Sequence, residues 1–457
     1  MQRIVDLLGQ VIYAAALALI VLAALAYGGS DPWWKALFTS AIFAVGIVAA
    51  LEMSLSSITR LPWIRILLPV VALVAYSVIQ SLPLSQSGPT ASTIQYPFWN
   101  SISADPYESR IFALQLAALA LLAAMLFRYG NTERRLRRLT NVIIAIAVVS
   151  AVFGLLRQTM QHQAGFGLPL LQAGIGYGQF FNKNHFAFLM EMGLGLCLGL
   201  VAAGGIRRDR AMIYVAVLLP IWMALVLAYS RGSILAMLVQ VVVTLLMFPT
   251  VASDKRLSES KVWSLIRAPV VRLVLVLSLV VLCVTAVFWV GGDRLATSIE
   301  AARGEFTESR EARDGVTRLK IWRDTLNMIK ANPFAGVGMG GYWTEIPRYH
   351  RAPGSMTPQQ AHNDYLELVA SGGIVGLALF LWFVAVVIKQ ARANLRSPAG
   401  FRRAACFASL IAITGVAVHS LGDFGLHRMA NAMIFVALIV IATSKVSSEA
   451  KPLSNED

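Results

Sequence analysis

The chain has 457 residues, 57% of them hydrophobic and only 14% charged, with a mean hydropathy of +0.66. A water-soluble protein of this length has too little interior to hide so much apolar surface, so an ordinary soluble globular fold is excluded and lipid must be the main solvent. The net charge of +15 then points to basic loops held on the cytoplasmic face of a membrane rather than to nucleic acid.

A membrane-crossing helix needs roughly 17–25 mostly apolar residues. Candidate spans fall at 11–27, 36–52, 64–80, 110–127, 139–156, 186–203, 211–229, 233–250, 270–290, 374–390, 404–420 and 429–443. The expected fold is therefore an all-α polytopic membrane protein with about 12 transmembrane helices. Membrane helices 1–9 would occupy 1–291, a large, partly helical outer loop 292–372, membrane helices 10–12 the stretch 373–443, and a polar cytoplasmic tail 444–457. The first span follows a basic residue in "MQRIVDLLGQ" with no small-residue cleavage site, and is expected to be retained.

The connections alternate in charge. Arg60 with Arg65, "RYGNTERRLRR", "RRDR", "DKRLSESK" with Arg267, and "KQARANLR" with Arg402 and Arg403 mark one face, which the positive-inside rule assigns to the cytoplasm together with both termini. The opposite face carries three longer loops, 81–108, 157–184 and 292–372. The last is too long for a bare connector and should fold over the membrane as a small cap. Within it, Leu319, Trp322, Leu326 and Ile329 form one helical stripe, stopped by Asn332-Pro333. "FAGVGMGGYW" has the glycines of a phosphate loop but no preceding strand and no following Lys-Ser/Thr, so it reads as a tight turn with exposed backbone, not a nucleotide site. Thr357-Pro358-Gln359-Gln360 fits a helix start, which would put His362 on a short outer helix with Leu366 and Val369, kinked or ended by Gly372-Gly373.

Chemistry-bearing residues collect on those outer loops. Arg231 sits in a Ser-Arg-Gly turn between two apolar runs. It is either an interfacial anchor or a guanidinium aimed by a tight turn at a phosphate or diphosphate. Arg318 heads the amphipathic helix, and by itself reads as a solvated surface charge. "GQFFNKNHFAFLMEM" brings Lys183, Asn184 and His185 to the mouth of the sixth span, with Glu191 two turns deeper as an ion-pair partner or proton-relay group. "HSLGDFGLHRMAN" places His419 and Asp423 one turn apart. They could be two metal ligands, but no third is evident and no H-x-x-x-H pair exists, so no metal site is expected. Cys197, Cys283 and Cys406 lie in apolar runs and should be free packing residues. Taken together, Arg231, Arg318, Arg157 and Lys183 as positive groups and His362 as a neutral-range base suit an anionic lipid head group, such as a polyprenyl diphosphate, with an acceptor beside it.

"AYSRGS", "RLKIW…NPFAGVGMGGY" and "HNDYLELVASGGIVGLAL", joined by "FFNKNHFAFLMEM" and "HSLGDFGLHRMAN", resemble the bacterial O-antigen ligase/polymerase superfamily from about residue 157 to 435. The first 150 residues match it only in hydropathy. The resemblance implies an inner-membrane glycosyltransferase with its active site facing the periplasm. Such an enzyme passes a glycan from undecaprenyl diphosphate to a glycan or lipid A-core acceptor, without cofactor, metal or nucleotide sugar, beside other polysaccharide-assembly proteins. It further implies that Arg231 and Arg318 neutralise the diphosphate and that His362 is the general base. Arg157, Lys183, Asn184, His185 and Asn363 would bind substrate. Repeat-unit polymerase is slightly favoured over ligase. A secondary transporter or lipid flippase is the alternative from another class, and a scaffold for other enzymes is a third.

Overall fold

The computed structural model describes residues 2–56, 63–86, 99–160, 176–205, 208–251, 318–350 and 357–445. Among them run twelve helices of more than one turn or two: α1 (Gln2–Leu25), α2 (Pro32–Leu55), α3 (Ile64–Gln80), α4 (Pro106–Tyr129), α5 (Glu133–Met160), α6 (Lys183–Ala202), α7 (Arg208–Leu227), α8 (Arg231–Val251), α9 (Arg318–Ala331), α10 (Asp364–Leu395), α11 (Gly400–His419) and α12 (Met429–Thr443). The chain is a polytopic all-α membrane protein. Seven of these helices are long and apolar enough to cross a bilayer, and α3, α12 and the apolar parts of α7 and α8 are shorter. Eleven of the expected spans coincide with these helices. The candidate at 270–290, with Cys283, Arg60, the loop 254–261 and most of the tail, lies outside the described residues.

Local chemistry sets the helix starts. Asp105 caps α4 by accepting from Glu108 N at 3.0 Å with Pro106 at the first helical position, and Asn182 caps α6 by accepting from Asn184 N at 2.8 Å. α6 is the central helix, buried along nearly its whole length. Its glycines allow backbone-level approach: a Cβ on Gly199 would lie 2.4 Å from Ala408 Cα, and one on Gly193 2.3 Å from Ala147 Cβ. That is how helices associate in lipid, where no hydrophobic drive separates them from the solvent. Gln240 of α8 ties the same core together, donating to the carbonyls of Glu191 (3.0 Å) and Ile411 (3.2 Å). At the end of the bundle away from the chemistry-bearing loops, Glu52 accepts from Arg128 and from Tyr129 Oη at 2.6 Å.

α9 is the expected amphipathic helix, but only half of the stripe that the spacing predicts packs: Trp322 and Ile329 are half-buried, with Trp322 Nε1 donating to Ala361 O at 3.0 Å. Ile321, Asp324, Thr325 and Met328 are buried, whereas Leu319 and Leu326 are 42% and 45% exposed. Two polar members of the packed face are satisfied: Asp324 meets His350 Nδ1 at 2.7 Å, and Thr325 Oγ1 is 2.8 Å from Tyr342 Oη. The packed face thus joins apolar Ile321 and Met328 to polar groups whose partners lie later in the chain, and leaves Leu319 and Leu326 at the surface.

The glycine-rich turn after α9 is docked, not exposed. Val337 N and Gly338 N donate to Ala370 O and Ser371 O, both at 3.0 Å, and Ile374 N donates to Pro333 O at 2.9 Å. Tyr76 and Gln80 of α3 donate to Ala335 O at 2.9 and 2.7 Å. α10 is kinked at this point, with Gly373 at φ 60, ψ −159. A Cβ there would lie 2.2 Å from Phe334 O, so the glycine is required by both its backbone angles and its neighbour.

Candidate active site

α5, α7 and α11 end, and α6, α8, α9, α10 and α12 begin, around one cluster of polar side chains. Its hub is Asp423, in the short connection between α11 and α12, with a side chain only 2% exposed. Oδ1 accepts from Phe424 N at 2.9 Å and lies 3.8 Å from His362 Nδ1 and 3.9 Å from His185 Nε2. Oδ2 accepts from the Asn184 side-chain amide and lies 3.4 Å from an Arg318 terminal nitrogen. Burial alone would raise the Asp423 carboxyl, but His362, His185, the Phe424 N–H and Arg318 together hold it below the usual carboxylate range. It is therefore a buried anion shared by groups from α6, α9 and the start of α10.

His362 has φ +50, a left-handed conformation that a non-glycine residue adopts at some cost. The expected helix start at Thr357 gives way to a better cap: Asn363 Oδ1 accepts from Tyr365 N and Leu366 N, both at 3.0 Å, and α10 begins at Asp364. His362 thus precedes the helix instead of riding on it. Its Nδ1 is buried toward Asp423, its ring stands edge-on to Phe424 at 4.8 Å, and its side chain is 33% exposed. One nitrogen faces a carboxylate at a distance longer than a hydrogen bond, while part of the ring stays open.

The other expected site residues divide by task. Arg318 and Asn184 touch Asp423 directly. Arg231, exposed, begins α8 within electrostatic reach of Lys183, also exposed. The Arg231 turn is fixed from below: Ser230 Oγ is 3.4 Å from His419 Nε2, His419 Nδ1 is 3.0 Å from Glu191 Oε2, and a Cβ on Gly232 would fall 2.4 Å from His419 Cδ2. His419 and Asp423 therefore serve different partners, and Glu191 holds a histidine inside the bundle. Three residues expected to bind substrate are committed internally. Arg157 is buried and donates to Gly178 O at 2.6 Å. His185 is buried, accepting on Nδ1 from Arg428 Nε at 2.9 Å, and the Asn363 oxygen caps α10.

Asp423 was legible only as half of a metal pair, because its partners lie far away in the chain. A second acidic group had no role assigned from the sequence. Asp364 and Glu367, one turn apart at the start of α10, lie 3.5 and 3.7 Å from His427 Nε2. The i, i+3 carboxylates in "NDYLEL" beside a predicted span were the available signal.

Residues 215–381 match the O-antigen ligase family. That match, over little more than a third of the chain, supports its resemblance to the O-antigen ligase/polymerase superfamily. The segment that matches this ligase family carries Arg231, Arg318, His362, Asn363, the docked glycine turn and the Gly373 kink. Asn184, His185 and the hub Asp423 lie outside it, so in this chain the matched segment meets α6 and the α11–α12 connection to complete the cluster. A comparison with curated proteins finds no match.

Proposed function

We propose that the protein is an inner-membrane glycosyltransferase that moves a glycan from undecaprenyl diphosphate to an acceptor hydroxyl on the periplasmic side, as a repeat-unit polymerase in preference to a ligase acting on lipid A-core. The observation that carries this reading is the convergence of Arg318, His362 and Asn184 on one buried carboxylate, with Arg231 and Lys183 at the same end of the bundle.

Those positions support one reaction. The acceptor oxygen attacks the anomeric carbon, its proton passes to the open face of His362, and the bond from that carbon to the diphosphate oxygen breaks. The electron pair leaves on the diphosphate, where Arg231 and Arg318 offset the growing negative charge. Arg318 is 36% exposed and uses one terminal nitrogen on Asp423, so the rest of its fork is open to an anion. Asp423 stabilises the imidazolium as it forms. Attack opposite the leaving group inverts the anomeric centre. No step calls for a metal or a nucleotide sugar.

The test is direct. Purified protein is incubated with carrier-linked repeat unit, with and without core lipid. Laddered products without core lipid support the polymerase, and a single shifted acceptor band identifies a ligase. His362→Ala should abolish both while leaving donor binding intact; full activity in that variant removes His362 as the base. A chelator should leave the rate unchanged. Carrier lipid crossing a bilayer with no glycosidic bond formed would decide for a flippase.

A further inference from the structure

Asp364 and Glu367 stand at the start of α10, where acidic side chains ordinarily do no more than offset the helix dipole. Their bonds lead elsewhere. Glu367 Oε2 reaches back past the Asn363 cap and accepts from Ala361 N at 2.8 Å, while Trp322 Nε1 of α9 donates to Ala361 O at 3.0 Å. Ala361 is fully buried, so the residue before His362 is held at both its N–H and its carbonyl.

Asp364 makes a second attachment. Its N–H donates to Ser420 O at 3.0 Å, and Ser420 Oγ donates to Asp364 Oδ2 at 2.7 Å. This reciprocal clasp joins the chain just after His362 to the connection that carries Asp423. The other carboxylate oxygens, Asp364 Oδ1 and Glu367 Oε1, face His427 Nε2 at 3.5 and 3.7 Å. Among the described residues, neither carboxylate bonds the His362 ring, so any effect on it passes through the backbone.

His362 has reason to need such support. Its φ of +50 is a setting that persists only where the surroundings over-determine it, and its Nδ1 lies 3.8 Å from Asp423 Oδ1. Release of either attachment lets the segment relax toward ordinary backbone and carries the imidazole away from the acid. A misplacement of about 1 Å is enough to cost roughly 100-fold in rate.

We propose that Asp364 and Glu367 are positioning residues for the base: Glu367, opposite Trp322, pins the chain ahead of His362, and Asp364 clasps Ser420 behind it, so that together they set the separation of His362 from Asp423. In this role they accept hydrogen bonds and move no proton. This rests on the transferase reading for its purpose, but the attachments themselves are measurable without turnover.

The full-length protein in phospholipid nanodiscs serves for both measurements. Hydrogen exchange at the Ala361 amide should quicken about tenfold in Glu367→Ala and keep the parental rate in Glu367→Gln, which retains an acceptor. With carrier-linked repeat unit as substrate, Glu367→Ala, Asp364→Ala and Ser420→Ala should each lower kcat about tenfold with KM for the lipid-linked donor unchanged. Asp364→Ala combined with Ser420→Ala should cost no more than the larger single loss, because both remove the same bond. Glu367→Gln and Asp364→Asn should rescue kcat to within about threefold of the parent. Losses in these two as deep as in the alanine variants would make the carboxylates proton carriers, and parental kcat in the alanine variants would leave them as plain helix-end charges; either result overturns the proposal. A parent that forms no glycosidic bond removes the transferase reading, whereas unchanged exchange in Glu367→Ala removes the attachment whatever the parent does.

Discussion

Asp423→Asn isolates what the hub contributes. Asparagine keeps the size and the oxygen that accepts from Phe424 N, but removes the charge 3.8 Å from His362 Nδ1. Two unit charges about 4 Å apart interact by ~1 kcal/mol in water and ~4 kcal/mol at the effective dielectric near a protein surface. His362 is 33% exposed and the contact is longer than a hydrogen bond, which places the loss of imidazolium stabilisation at ~1.4–2.7 kcal/mol, or about 10- to 100-fold in turnover. Single-turnover transfer from carrier-linked glycan, at donor concentrations that saturate both proteins, measures it. Adding Asp423→Asn to His362→Ala should cost nothing further, because the carboxylate then has no base to assist. Turnover of folded Asp423→Asn within about twofold of the parent would refute the assignment. A fall that adds fully to that of His362→Ala would mean that Asp423 acts through Arg318 instead.

Arg231→Lys retains charge but loses the planar fork, and kcat/KM for the lipid-linked donor should fall about 10- to 100-fold; near-normal turnover would favour a plain interfacial anchor. Gly373→Ala places a methyl 2.2 Å from Phe334 O at a backbone setting closed to alanine, so thermal unfolding in detergent should drop by more than the ~1–3 kcal/mol of the backbone strain alone, and an unchanged Tm would contradict the docked turn. Glu52→Gln, at the opposite end, strips the counter-charge from a buried Arg128 and should destabilise by about 3–5 kcal/mol. Its folded fraction should transfer glycan at the parental rate, and a selective loss of kcat would show that the two ends are coupled.

Hydropathy made the membrane helices legible because lipid imposes one rule on every residue of a span: backbone polar groups must be satisfied within the helix and side chains must be apolar. The span expected at 64–80 matches α3 residue for residue, and 429–443 matches α12. The outer unit obeys no such single rule. On α9, Asp324 and Thr325 are buried because His350 and Tyr342 reach them from later in the chain, which periodicity cannot register. Thr357-Pro358 offered a sound helix start, but Asn363 caps two N–H groups and displaced it. Arg318, His362 and Asn184 were legible as reactive types on the outer face. Their meeting point was hidden, since Asp423 stands 239 residues from Asn184 and 105 from Arg318; the packing of α6 against α11 closes the first distance, and that of α9 on α10 contributes to the second.

The glycine turn has a consequence for how substrates arrive. Residues 333–339 are joined to the α10 kink and to α3 by bonds from Val337 N, Gly338 N, Ile374 N, Tyr76 and Gln80. Swinging the outer unit upward would break them together, each leaving a main-chain group unpaired at roughly 1–3 kcal/mol. A roof riveted at that many points does not serve as a door. Under the proposed function this turn is a fixed wall, and amphiphilic substrates would pass beside it from the surrounding leaflet, between helices, instead of beneath it.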